Sequence, residues 1–429
     1  MRMKFNKSSQ LLLVSAASLL AASLVTACGT LTVDFVFVTS SKAAGTNNYG
    51  QIDVFEINQE SGFMRQIPTS PFPSGGRDPV AEAVSTDQSN LYVVNQDDNT
   101  IVQFVIGNDG KVYPQNTTNT PGIYPMAAAV HGTTLYVVDT YQPLPICSTA
   151  DPCSGSIAAF PITVGSGSNP SDPLGAPVAN GDLTYLPLCL SGYTQSSSTH
   201  TWNCKGAEPD IVAPTAVAVL GSGSYVYVTA CDTTASPNAG FVFAFAADSG
   251  GALTPVNGGA VPFSAGTHPS AIASDPTGSY LYVTDFAKGD ILAYSVASGS
   301  LTPLSTSPFK AGDQPSAIVA DPNYPYIYVA NSLDSTVQAY SMTSGALSSI
   351  GTYSTGSQPV AIGIDPSTNH FLYSANYLGN GVGGTVSGFE LSPTAGTLLN
   401  SQNSPYTANA QPTAVAAIAH GSKQAGSSK

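Results

Sequence analysis

The chain has 429 residues, more than one ordinary domain, although a closed β architecture accommodates that length as one body. Only 9% of residues are charged, while Gly, Pro, Ser, Thr, Ala and Tyr are abundant, which suits a turn-rich all-β protein and argues against helical bundles. The formal net charge is −14, and beyond the first 27 residues nine basic residues face 26 acidic ones, a net −17; such a body repels nucleic acid and has no basic stripe to hold it.

Residues 1–27 carry Arg2, Lys4 and Lys7, then an apolar run from Leu11 to Val25 and small residues before Cys28. This is the layout of a secretory signal, too short and wrongly flanked for a membrane span. Val25-Thr26-Ala27-Cys28 resembles the bacterial lipoprotein processing box. That resemblance implies cleavage before Cys28, lipid on its thiol and amine, and an exported lipoprotein of the cell envelope whose membrane partner is reached through that lipid. Residues 28–31 would be the linker to the folded body, and 420–429 a disordered tail.

From residue 32 to 419 four kinds of short strand recur. An inner, Ala-rich strand begins at Pro79, Pro125, Pro214, Pro269, Pro315, Pro359 and Pro412. A second strand, of the type Leu281-Tyr282-Val283-Thr284, returns at Phe35, Leu91, Leu135, Tyr225, Ile327 and Phe371. A third begins at Gln51, Thr100, Ser156, Gly240, Asp290, Thr336 and Gly384, and an outer strand follows turns at Gly62, Gly110, Gly181, Gly251, Gly299, Gly345 and Gly396. Each run is short, alternating and bounded by Gly, Pro, Asp or Ser, as antiparallel strands joined by tight turns are. Seven units of about 45 residues with four strands each predict a seven-bladed β-propeller. The chain opens on a second strand and ends on an inner one, so one blade is predicted to be assembled from both termini, leaving no open sheet edge.

The interval from Pro125 to Pro214 is 89 residues, twice the others, yet holds one second strand and one third strand. It therefore reads as loop insertions in the third blade, at about 141–155 and 163–212, rather than as an eighth blade. The insertions contain Cys147, Cys153, Cys189 and Cys204, which in an exported protein form two disulfides. Pairing 147 with 153 and 189 with 204 is the local choice, but four cysteines allow three connectivities. No CxxC pair supports zinc. Cys231 is left over as a buried thiol.

The unit Pro269-Ser270-Ala271-Ile272-Ala273, Asp275-Pro276-Thr277-Gly278, Tyr280-Leu281-Tyr282-Val283-Thr284-Asp285 resembles the YVTN-type repeats of bacterial propellers. It is also similar to the wider seven-bladed lactonase family, whose named activity is 6-phosphogluconolactonase. That resemblance implies the propeller fold, a lactone substrate, and Arg and His just after the inner-strand prolines. Here those positions hold Val80-Ala81, Met126-Ala127, Thr215-Ala216, Ser270-Ala271, Ser316-Ala317, Val360-Ala361 and Thr413-Ala414.

Propeller ligands sit over the mouth of the central channel, where loops lead into inner strands and away from second strands. Asp78, Tyr124, His268, Gln314, Gln358 and Gln411 lead in, with Arg77 and Asp313 beside them; Asn95, Asp139, Asp285, Asn331 and Asn376 lead out. Such a ring of amides, carboxylates and one imidazole binds a polar ligand through hydrogen bonds, whereas Asn and Asp at strand ends also serve simply as turn caps. Asp97-Asp98-Asn99 has oxygen ligands for Ca²⁺ but reads better as a solvated turn. No nucleophile elbow, zincin helix, Walker loop or dinucleotide fingerprint is present, and no cofactor or metal is expected. The sequence favours a monomeric, membrane-tethered module that binds or scaffolds a polar small molecule, glycan or protein. The alternative is a lactone hydrolase with His268 as acid/base and Arg77 steadying negative charge.

Overall fold

A computed structural model describes residues 33–41, 48–58, 61–145, 147, 153–163, 174–206, 211–236, 238–366, 371–379 and 383–419. The leader, Cys28, the linker 28–31 and the tail 420–429 lie outside them. Seven antiparallel sheets of four principal strands stand in a ring, four of them widened by a short strand pairing with the third. Blade 1 joins the two ends of the chain: Pro412–Ile418 is its inner strand and pairs with the second strand, Val33–Ser40, in the register Val38 opposite Val415. Blades 2 to 7 follow, with inner strands Pro79–Val84, Ile123–His131, Val212–Val219, Pro269–Ser274, Pro315–Ala320 and Ser357–Ile364. The predicted closure and blade number both hold.

Buried side chains gather into seven clusters, one between each pair of neighbouring blades, so the core is itself a ring. Phe371 and Tyr373 of blade 7 pack on Val36 and Val38 of blade 1 as Tyr282 of blade 5 packs on Ile327 of blade 6. Hydrophobic burial of this kind has no direction; register between blades comes from polar pins. Near the periphery the buried Tyr227, Tyr282 and Tyr328 hydroxyls donate to the carbonyls of Gly299, Gly345 and Gly396 in the next blade, at 3.1, 3.0 and 3.2 Å. Gly345 has φ +82°, and a Cβ there would lie 2.4 Å from the Tyr280 ring, which is why the outer turn requires glycine.

Around the axis each of the seven inner strands carries a β-bulge at the residue after its proline. A bulge re-aims the extra side chain, and in three blades that side chain reaches sideways. Ser270, Ser316 and Thr413 donate their hydroxyls to the carbonyls of Pro315, Pro359 and Pro79 in the neighbouring blade, at 2.5, 2.7 and 2.7 Å.

The third-blade insertion is built onto the ring. Leu186–Pro187 supplies the outer strand of that blade, and a hairpin, Tyr193–Gln195 with Trp202–Cys204, lies against blade 4. The Tyr193 amide donates to Gly259 at 2.8 Å and its ring meets Phe245 edge-on at 6.2 Å. The disulfides are Cys147–Cys153 and Cys189–Cys204, and Cys231 is a buried free thiol.

Candidate functional site at the mouth of the ring

The loops that lead into the inner strands and away from the second strands lie on one face. Two tiers of polar residues meet there, and their chemistry differs. The lower tier consists of the second-strand ends Asn95, Asp139, Asp285, Asn331 and Asn376, all essentially inaccessible. Each sits against a glycine three residues before the inner-strand proline: Gly76, Gly122, Gly266, Gly312 and Gly356. A Cβ at Gly76 would fall 2.5 Å from the Asn95 side chain, and one at Gly266 2.4 Å from Asp285. The Asp285 carboxylate accepts the amides of Thr267, His268 and Ala287 at 2.8, 3.2 and 3.1 Å. Asn331 accepts the Gly312 amide at 3.1 Å, and Asn376 donates to Thr385 and Ser387. Asp285, Asn331 and Asn376 thus close the loops of their own blades, whereas buried Asn95 packs against Gly76 with neither polar atom of its amide hydrogen-bonded.

Asp139 shares that architecture, accepting the Gly122 amide at 3.1 Å through Oδ2, but its Oδ1 is buried without a hydrogen bond. Burial pushes its carboxyl up to about 7, against the opposing pull of Thr120 and the Gly122 amide.

The upper tier is the set of residues just before the inner-strand prolines. Asp78, Tyr124, Gln314 and Gln358 have φ of 50°, 57°, 55° and 57°, left-handed values that non-glycine residues seldom take. Their main chains are fixed: the carbonyls of Asp78, His268, Gln314 and Gln411 accept the amides of Gln96, Phe286, Ser332 and Ser41 from the loops leaving the second strands. The Tyr124 amide is held by Asn99 Oδ1 at 2.7 Å and its carbonyl by Thr140. Asn99 of the Asp97-Asp98-Asn99 turn is thus a cap for the next blade. Asp313 is held through its amide, which donates to Asp334 at 2.7 Å.

The side chains of this tier are not spent on the fold. Among the described residues Asp78, His268, Gln314, Gln358 and Gln411 make no side-chain hydrogen bond, although each is half-buried. The His268 ring lies 5.7 Å from Phe286, and Asp285 holds its main-chain amide rather than its imidazole. Asp78 is pushed above the usual carboxylate range by burial and by the charge of Asp97.

Arg77 is different. Its guanidinium forms an ion pair with Asp98 at 2.6 Å and reaches the Asp97 carbonyl at 3.3 Å, so its charge is already matched within blade 2. Blade 2 and the blade of His268 stand three positions apart round the ring; Arg77 and His268 face the mouth from different sides and are not a contacting pair.

Sequence reasoning missed Glu82. It is the sole charged residue in the seven inner strands, which was the available signal. Neither of its buried oxygens makes a well-formed hydrogen bond, and the Ala416 amide of blade 1 is the one group near enough to favour the ionised form. Burial holds its carboxyl well above the carboxylate range.

This geometry defines a seven-bladed β-propeller with a hydrogen-bonding ring at its mouth. Residues 292–420 match the family described as lactonase, 7-bladed beta-propeller. A search of curated proteins returns no match. Among solved structures, a candidate 6-phosphogluconolactonase from Bacteroides fragilis aligns with TM-score 0.66 at 18% identity, covering 91% of this chain and 99% of its own. The periplasmic gluconolactonase of Pseudomonas aeruginosa aligns with TM-score 0.63 at 17% identity, covering 90% and 99%. A candidate 6-phosphogluconolactonase from Bacteroides uniformis gives TM-score 0.62 at 17% identity, covering 90% and 100%. The chain is a lactonase-like propeller in fold.

Proposed function

We propose that the protein hydrolyses a sugar-type lactone held over the mouth of the ring. One observation carries this reading: on a lactonase-like propeller, the residues before the inner-strand prolines keep their main chains fixed and their polar side chains unspent. Gln314, Gln358 and Gln411 would hold substrate hydroxyls, and His268 is the one imidazole among them. In the reaction His268 takes a proton from water as the water oxygen attacks the lactone carbonyl carbon. It then returns the proton to the ring oxygen as the acyl–oxygen bond breaks, giving the open hydroxy acid. General-base help of this kind contributes roughly 10²–10⁴-fold, which suits an ester already strained by its ring. Arg77, neutralised by Asp98, is poorly placed to receive a phosphate, so the reading favours an uncharged lactone.

A second reading is a binding or scaffolding module. It is favoured by the positions after the inner-strand prolines, where Ser270, Ser316 and Thr413 are used to join blades rather than to act on a substrate. Export to the cell envelope belongs to this proposal as well: two disulfides and a periplasmic structural neighbour are consistent with it, and Cys28 would be the lipid anchor.

Initial rates of glucono-δ-lactone opening by the purified chain, above the spontaneous rate, decide between the two readings. The proposal expects turnover that falls by at least tenfold in His268→Ala. Turnover unchanged in that variant, or none with any lactone tried, overturns it and leaves the binding module.

A further inference from the structure

On the face opposite the mouth, between blades 5 and 6, the turns joining inner to second strands stand apart and leave a cavity of about 320 Å³. Its walls are Tyr280, Tyr324, Pro276, Pro325 and Met342, and Tyr324 is 36% exposed. Asn323 and Ser344 bring polar groups into the same space. Among the described residues no Lys, Arg or His lines it, and the one acid, Asp275, spends its carboxylate on the amides of Thr277 and Tyr280 at 3.1 and 2.7 Å. The described lining therefore offers no unmatched charge to an ionised ligand.

The cavity combines flat apolar faces with unused hydrogen-bonding groups. Among the described residues the Tyr280 and Tyr324 hydroxyls, the Asn323 amide and the Ser344 hydroxyl make no side-chain hydrogen bond. Its walls are fixed in advance. Asp321 holds the amides of Asn323 and Tyr324 at 2.9 and 3.0 Å, and the Tyr282 hydroxyl pins the Gly345 carbonyl beside Ser344. A preformed site loses little conformational freedom on binding.

The repeat alone does not produce this chemistry. The corresponding crevice between blades 3 and 4 is lined by His131, Thr133, Ser222, Ser224 and Asp248, with one tyrosine, Tyr136, and no proline. Blade 6 alone places Tyr324-Pro325 where blade 5 has Gly278-Ser279.

We infer that this cavity is a binding site for a neutral saccharide, separate from the mouth. A pyranose ring presents an apolar face for a tyrosine and an equatorial rim of hydroxyls for an amide and alcohols, and this wall offers both.

Saturation-transfer NMR on the full chain with maltose, cellobiose and N,N′-diacetylchitobiose, followed by calorimetry, tests the inference. At least one disaccharide binds at millimolar concentration. Tyr324→Ala weakens that binding on the order of tenfold, Tyr324→Phe largely retains it, and His268→Ala at the mouth leaves it unchanged. Tyr324 lies on an exposed turn, and a melting curve for each variant verifies folding. Binding that survives Tyr324→Ala, binding abolished by His268→Ala, or no binding of the three sugars each overturns the assignment. A result here is independent of lactone turnover at the mouth.

Discussion

Two buried carboxyls set the pH behaviour of individual residues. Glu82 lies in the inner ring and Asp139 beneath the mouth, and burial raises both. A carboxyl with a raised folded value holds its proton in the native state after the unfolded chain has released it. Stability is therefore full below the ordinary value, 4.5 for Glu82 and 3.8 for Asp139, and declines as pH rises through the folded value, about 7 for Asp139. The ionised Asp139 costs on the order of 4 kcal/mol at alkaline pH by this reckoning. Glu82→Gln, which presents a neutral group of the same shape, is expected to melt close to wild type near about pH 4 and above it near about pH 8. A melting difference independent of pH would contradict the account of Glu82 as a protonated acid. Asp139→Asn keeps an acceptor for the Gly122 amide and is expected to gain on wild type over the same direction of pH.

Between neighbouring blades, directional bonds do what burial cannot. Ser316→Ala removes the hydroxyl bond to the Pro359 carbonyl and leaves that acceptor without its partner, an expected loss of about 1 kcal/mol in urea unfolding. Gly345→Ala is worse. It forces φ +82° on an L-residue and sets a methyl group 2.4 Å from the Tyr280 ring, so about 1–3 kcal/mol of backbone strain is joined by a steric shift. An alanine variant as stable as wild type would sink the argument that the outer turn needs glycine. The recurrence of these turns was legible in the sequence because every unit repeats the Gly and six of the seven repeat the Tyr, blade 1 having Phe37 in its place. The bulge after each inner-strand proline was not, because it shows only in the pairing of two strands. For the same reason position alone marked Asp285 and Gln314 equally. Only the neighbouring loops reveal that Asp285 is engaged by three amides while Gln314 keeps its amide side chain unused.

At the scale of the whole ring, closure and the insertion are the features with consequences. Deleting residues 412–419 strips Val33–Ser40 of its inner-strand partner, opens the cores shared with blades 7 and 2, and exposes a long apolar edge. The truncated chain is expected to aggregate or to lose its cooperative melt, and a truncation that melts like the full chain would contradict the closure. Cys189–Cys204 spans 15 residues, for which chain entropy gives about 3 kcal/mol; replacing both by Ser is expected to lower the melting temperature while leaving the mouth intact. The seven-fold repeat made the fold and the position of the mouth readable from the sequence alone. Tyr324-Pro325 and Glu82 went unread, since a single departure from a repeat acquires meaning only from what surrounds it. The claim on which the functional account rests is that a lactone sits over the axis, among the side chains the fold leaves unused. A crystal structure of the protein soaked with gluconate, the product of gluconolactone opening, tests it directly. The account predicts density at the mouth within hydrogen-bonding distance of Gln314, Gln358 or Gln411 and beside His268; gluconate bound elsewhere, with the mouth holding water alone, would contradict it.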